Sequence, residues 1–188
     1  MAHDQWIYER SADGSARFVL GTVGVNPLVC LGINPSTAVP NAPDRTVARV
    51  SKFAIDNGYD SWTMLNVYPQ IATDPKNLDR EYHPDLKTEN ERHIASMIDD
   101  RPLTLLSAWG GLTAIRPYLP SLLKDILQLT SATGCDWVSL GDPTRGAIPA
   151  IRCMCGQRPR FSSLARIDTS SAIPEAFSWG EIVRHARA

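Results

Sequence analysis

The stretch PLVCLGINPSTA (residues 27–38) decides how the chain is read. Its first five residues, Pro27 to Leu31, form an unbroken apolar run that closes on a glycine, the pattern of a strand buried on both faces of a parallel sheet. Behind it, Gly32, Asn34, Pro35, Ser36 and Thr37 arrive together. Gly32 and Pro35 suffice for a tight strand exit, and Asn-Pro is a common turn initiator. Asn34 and Ser36 also carry the donors and acceptors that orient a ligand. Turn and binding site are the two readings of this segment.

Working outward, Trp6 to Val23 reads as two β-prone stretches around Ala12-Asp13-Gly14-Ser15, because Asp-Gly favours a hairpin turn. Downstream, Val47, Val50, Phe53 and Ala54 recur at helical spacing between Asp44, a candidate N-cap, and Gly58, a C-terminal stop. Ser61 to Val67 is strand-like, Asp85 to Asp99 helical, and Pro102 to Ala108 the next buried strand. Leu112 to Leu129 has a helical pattern broken by Pro117 and Pro120, which predicts a short helix and a second one starting near Pro120. Cys135 to Leu140 is a further strand, and Ser178-Trp-Gly-Glu181 has the form of a capping box. Strands alternating with helices predict a three-layer α/β/α domain over residues 1–188, with a mainly parallel central sheet and an N-terminal β-hairpin.

Composition narrows the function. Of the 188 residues, 43% are hydrophobic and 21% charged, ordinary for a folded globular domain. A formal charge of −1 gives no global basic excess for nucleic acid, so such a role needs a locally basic face. From Arg145 onward seven arginines stand against Asp168, Glu175 and Glu181. This is either a solvated face or the start of such a surface. No signal peptide and no apolar run long enough to span a membrane is read, so the expectation is a cytoplasmic protein without membrane contact. Cys30 and Cys135 lie in strand-like runs and read as reduced core thiols. Cys153-Met-Cys155 lacks a second Cys/His pair, so no metal and no cofactor are expected. No Walker loop, G-x-S-x-G, H-E-x-x-H or G-x-G-x-x-G is present.

In open parallel α/β sheets, ligands bind beyond the carboxyl ends of the strands. Here those ends read Gly32-Ile33-Asn34-Pro35-Ser36, Asn66-Val67-Tyr68-Pro69, Trp109-Gly110-Gly111 and Gly141-Asp142-Pro143-Thr144-Arg145. Four polar ends rich in glycine and proline would meet in one cleft. Asp44 serves either as helix cap or as a catalytic carboxylate, and the two roles are compatible.

These segments resemble, in order, the family called domain of unknown function 1643. The resemblance is carried by Leu31-Gly-Ile-Asn-Pro-Ser-Thr-Ala38, Asp44-Arg-Thr46, Gly58-Tyr59 with Leu65-Asn66, Ala72-Thr-Asp-Pro75, Ala108-Trp-Gly110, and Leu140-Gly141 with Gly146 and Pro149. It covers roughly residues 27 to 150 and implies no activity. The family's late His-Pro-Leu-Tyr is missing, and Ile151-Arg152-Cys153 occupies the region.

More distantly, GINPS is similar to the GINPG motif in the mismatch-specific branch of the uracil-DNA glycosylase superfamily. Asp142-Pro143-Thr144 stands where that branch has an Asn-Pro-Ser-like loop after its last strand. This resemblance implies a uracil-DNA-glycosylase-like fold and a hydrolase that cleaves the N-glycosidic bond of a base, modified or not, in nucleic acid. Asn34 would position the attacking water, with Ile33 and Pro35 shaping the base pocket and Asp44 supplying a carboxylate if residues 39–43 fold it back. Tyr68 or Trp109 would stack on the base, each also being a plausible core residue. Thr144 and Arg145 would hold a phosphate. The alternatives are an enzyme acting on a free nucleotide or nucleoside, favoured by the near-neutral charge, and a non-catalytic binding module on the same fold. The remaining expected contacts, Gly32, Ser36, Asn66, Gly110 and Asp142, come from the strand ends.

Overall fold

Pro27–Gly32 is the middle strand of a seven-stranded sheet, with all six residues buried. The computed structural model describes residues 5–99, 101–140 and 164–167. In chain order the elements are β1 (Trp6–Arg10), β2 (Arg17–Thr22), β3 (Pro27–Gly32), α1 (Arg45–Asp56), β4 (Ser61–Asn66), α2 (Pro84–Ile98), β5 (Thr104–Ser107), α3 (Leu119–Ser131), β6 (Asp136–Leu140) and β7 (Leu164–Ile167). Short 3₁₀ turns cover Pro75–Asn77 and Gly110–Ile115.

The sheet order is β1-β2-β4-β3-β5-β6-β7. β4, β3, β5 and β6 are parallel, as a chain of strand–helix–strand units must be. The sheet as a whole is mixed rather than mainly parallel, because antiparallel strands extend it on both sides. β1 and β2 form the expected hairpin about Gly14, and the Asp13 carboxylate gathers the Ser11 and Ser15 hydroxyls there. The hairpin joins the sheet through β2, which pairs antiparallel with β4 at Leu20–Met64 and Gly21–Thr63. On the far side β7 runs antiparallel to β6. The residues of β7 carried no strand signal in the sequence, and the Ser178–Glu181 capping box lies outside the described residues.

Helices cover both faces. Val47, Val50, Phe53 and Ala54 of α1 pack on Leu28, Cys30, Met64 and Leu106. Ile94 and Ile98 of α2, with Leu119, Leu122, Leu123 and Ile126 of α3, pack on Val29, Leu31, Leu65 and Leu105. The period-two alternation within β3 therefore feeds two separate cores. Right-handed crossovers explain the split: β3 reaches β4 through α1, whereas β4 passes back over β3 through α2 to reach β5. The chain thus leaves β3 and β5 in opposite directions. That is a topological switch point, where parallel α/β sheets open a crevice.

The helix ends follow the sequence closely. The Asp44 carboxylate accepts from Val47 N at 2.8 Å as the α1 N-cap, and Gly58, with φ of 82°, ends the turn after it. Pro84 opens α2. The proline-broken segment resolves into the 3₁₀ turn Gly110–Ile115 and then α3, with Pro120 in its first turn.

Candidate ligand-binding site

A cavity of about 190 Å³ opens at the switch point. β3 supplies Gly32 and then Ile33, Asn34 and Ser36; β4 supplies Met64 and Asn66; Ala108 follows β5. Asp44, Thr46 and Val47 come from the start of α1, Ala72, Thr73 and Pro75 from the loop after β4, and Leu112 from the 3₁₀ turn after β5. Ile33, Val47, Met64 and Leu112 make apolar walls among these polar groups. At about 190 Å³ the cavity is below the ~300 Å³ typical of drug-sized pockets, and it opens to solvent on the side of Thr46, Thr73 and Leu112.

GINPSTA is both a turn and a wall of this cavity. Gly32 lies close to a site residue: a Cβ there would come 3.3 Å from Asn66 Oδ1, so the Asn66 side chain would have to give by a few tenths of an ångström. Hydrogen bonds from Val67 N to Gly32 O and from Tyr68 N to Ile33 O, each 2.9 Å, run the chain after β4 alongside the segment. Asn34 is half-buried, and its Nδ2 donates to Pro35 O at 3.0 Å and Ala72 O at 2.8 Å. Two facing carbonyls fix the amide orientation and use both of its hydrogens, so Oδ1 is the atom the side chain offers a ligand.

Asn66 is 1% exposed, and its Nδ2 has no partner among the described residues. Its backbone is held by the buried Asn90, whose Nδ2 donates to Asn66 O at 2.9 Å. A third element comes from β2: Arg17, 2% exposed, lines the cavity, donates from Nη1 to Ala38 O at 2.7 Å, and leaves Nε without a partner. Burial pushes the Arg17 pKa down, and Asp44 and Tyr8 act the other way. An arginine starts so far above neutrality that it stays charged. Asp44 itself turns Oδ1 to Val47 N and Oδ2 to the Ser36 hydroxyl, which donates to it.

Thus Gly32, Ile33, Asn34, Ser36, Asp44 and Asn66 meet around one space, whereas other residues singled out in the sequence do not line it. Pro35 is buried behind it and accepts from Ala72 N at 2.9 Å. Tyr68 is fully buried on the α2 and α3 side, accepts from His83 N at 2.9 Å, and meets Tyr118 edge-on at 5.4 Å. Burial raises its pKa. Trp109 is 1% exposed and packs against Trp137 at 5.2 Å. Both rings are therefore core residues. Gly110 begins the 3₁₀ turn with φ of 57°. Asp142, Thr144 and Arg145 lie outside the described residues, as do the later arginines except Arg166, and Cys153 and Cys155. Arg17 was missed because an arginine opening a β-prone run reads as solvent-facing.

Among the described residues no three His, Cys, Asp or Glu side chains cluster as metal ligands, and no helix is long and apolar enough to cross a membrane. Cys30 is buried, which pushes its thiol up to about 12 and leaves it an inert core residue.

Fold and cavity together define an α/β protein with a small cavity at the carboxyl ends of its parallel strands. The family model described as protein of unknown function (DUF1643) matches residues 17–149, and the chain belongs to that family. No curated protein and no solved structure gives a significant match.

Proposed function

We propose that the chain is a hydrolase of the N-glycosidic bond of a nucleotide unit, built on a uracil-DNA-glycosylase-like α/β/α scaffold. The observation that carries this reading is Asn34: its amide nitrogen is tied to two carbonyls, its oxygen is left for the cavity, and it sits in the GINPS segment that resembles the glycosylase motif. A neutral amide held this way orients a water without itself taking a proton. In the proposed step, water attacks the anomeric carbon and the C–N bond breaks. The bonding pair leaves with the base, and the water's proton passes to the Asp44 carboxylate beside Ser36. The apolar walls would hold the planar base.

The resemblance favours a base within nucleic acid, modified or not. A free nucleotide or nucleoside is the second form of substrate, favoured by the formal charge of −1 and by the buried, cavity-lining Arg17. The test is incubation with single- and double-stranded DNA carrying varied bases, and with free nucleotides, assayed for abasic sites and released base. Wild type should release a base from one class and Asn34→Ala should not. Equal silence of both proteins on every substrate would leave only the non-catalytic binding module.

A further inference from the structure

Arg17 is the buried group that the proposed chemistry leaves unused. A guanidinium removed from water is costly unless it is paired and hydrogen-bonded. Among the described residues this 2%-exposed guanidinium makes a single hydrogen bond, to a protein carbonyl, and its Nε has no partner. The nearby Asp44 carboxylate takes Val47 N and the Ser36 hydroxyl, and no hydrogen bond or ion pair joins it to Arg17 among the described residues. Asn66 Nδ2, equally buried and equally unpartnered, lines the same cavity. Thr46 and Val47 of α1 line it as well, with Val47 N already held by the Asp44 cap. Two orphaned donors on residues that line one cavity, one of them a fixed cation, point to an oxyanion as the missing partner.

We infer that the Arg17 end of the cavity seats a terminal phosphate, a phosphomonoester carried by the substrate, with Arg17 Nε and Asn66 Nδ2 as its donors. This end is deep: Arg17 and Ala38, which accepts its Nη1 hydrogen bond, are 2% and 3% exposed. A phosphodiester inside a polymer needs an exit for each ester oxygen, which a seat this deep disfavours. The group is therefore terminal, from either a free nucleotide or a strand end. Its identity rests on reading the cavity as a nucleotide site. The oxyanion seat itself rests only on Arg17 and Asn66.

The test is calorimetric titration of the full chain at constant ionic strength with inorganic phosphate, a nucleoside 5′-monophosphate, the matching nucleoside, and oligonucleotides with and without a terminal phosphate. Inorganic phosphate should bind saturably at one site and the monophosphate more tightly. A 5′-phosphorylated oligonucleotide that displaces phosphate assigns the strand end, and one that does not assigns the free nucleotide. The nucleoside and the oligonucleotide without terminal phosphate should not compete. Arg17→Met should weaken phosphate binding by about tenfold or more, the size of one charge-assisted hydrogen bond. Arg17→Lys, which keeps the charge, should weaken it less, and Lys52→Met on the exposed side of α1 not at all. If circular dichroism shows Arg17→Met unfolded, Arg17→Lys and Asn66→Leu carry the comparison. Absence of saturable binding, equal binding by the folded variants, or competition by the unphosphorylated oligonucleotide overturns the inference. A protein that binds phosphate but releases no base keeps this inference and loses the hydrolase, and one that releases base without binding phosphate does the reverse.

Discussion

The two ends of the parallel strands treat their polar groups in opposite ways. At the amino ends, the exposed Asp60 carboxylate accepts from Val25 N at 3.0 Å, Asn26 N at 2.9 Å and the Ser61 hydroxyl at 2.8 Å. This closes the turn between β2 and β3 against the start of β4. The Ser61 hydrogen bond and the two backbone donors hold its carboxyl below the usual range. At the carboxyl ends, Arg17 Nε, Asn66 Nδ2, Asn90 Oδ1, Ser107 Oγ and Trp109 Nε1 are buried without partners among the described residues. Buried polar groups in native proteins are usually paired, and groups that are not call for an explanation. Of these, Arg17 and Asn66 line the cavity, which is why the proposed ligand is placed at this end of the sheet.

The largest expected effect breaks this contrast at the site. Asn34→Ala should reduce base release by about a hundredfold or more, the scale seen when one preorganised catalytic group is lost. It should cost only about 1–2 kcal/mol in chemical denaturation. The converse variant lies in the core: Leu123→Ala, at 1% exposure, should cost about 2–5 kcal/mol while a folded sample keeps its ligand affinity. Asp44 lies between the two cases. Asp44→Ala should cost about 1 kcal/mol through the lost cap, and Asp44→Ser should recover that stability but not the activity. Equal activity in Asp44→Ser and wild type would reduce Asp44 to a cap.

Two smaller effects sharpen the comparison. Burial pushes the Tyr118 phenol up to about 12, with the Tyr68 and Asp79 charges adding to the rise and Arg116 opposing it. Its folded value exceeds the unfolded value of about 10, so its contribution to stability is complete below pH ~10 and is lost as pH rises towards 12. Absorbance at the tyrosinate band should show this late step in the folded protein. Least of all, Asp60→Ala should lower the melting temperature slightly and leave ligand binding untouched, since its partners lie at the opposite end of the sheet.

Much of this was legible in the sequence, for reasons tied to particular residues. The hairpin was written in Asp13-Gly14, α1 in Asp44 and the spacing of Val47, Val50 and Phe53, and the central strands in their apolar runs. Local chemistry decides such elements. The mixed character of the sheet was not legible, because pairing β2 with β4 is a choice among edges that no residue of β2 announces. Within the site, Asn34, Ser36 and Asp44 were readable because they cluster within eleven residues of one strand exit. Arg17 was not, since its partners are distant in the chain: its backbone N donates to Pro69 O and its Nη1 to Ala38 O. Tyr68 and Trp109 follow strand ends just as Asn34 does, but the chain turns their rings into the α2 and α3 core.

The central claim is that a ligand completes the carboxyl end of the sheet, and side-chain amide NMR tests it most directly. On addition of a nucleoside 5′-monophosphate, the Asn34 and Asn66 side-chain amide resonances should shift. That of Asn57, whose Nδ2 is bonded to Phe53 O at 2.8 Å at the far end of α1, should stay in place. Unmoved Asn34 and Asn66 signals at saturating nucleotide, or shifts no larger than that of Asn57, would contradict the account.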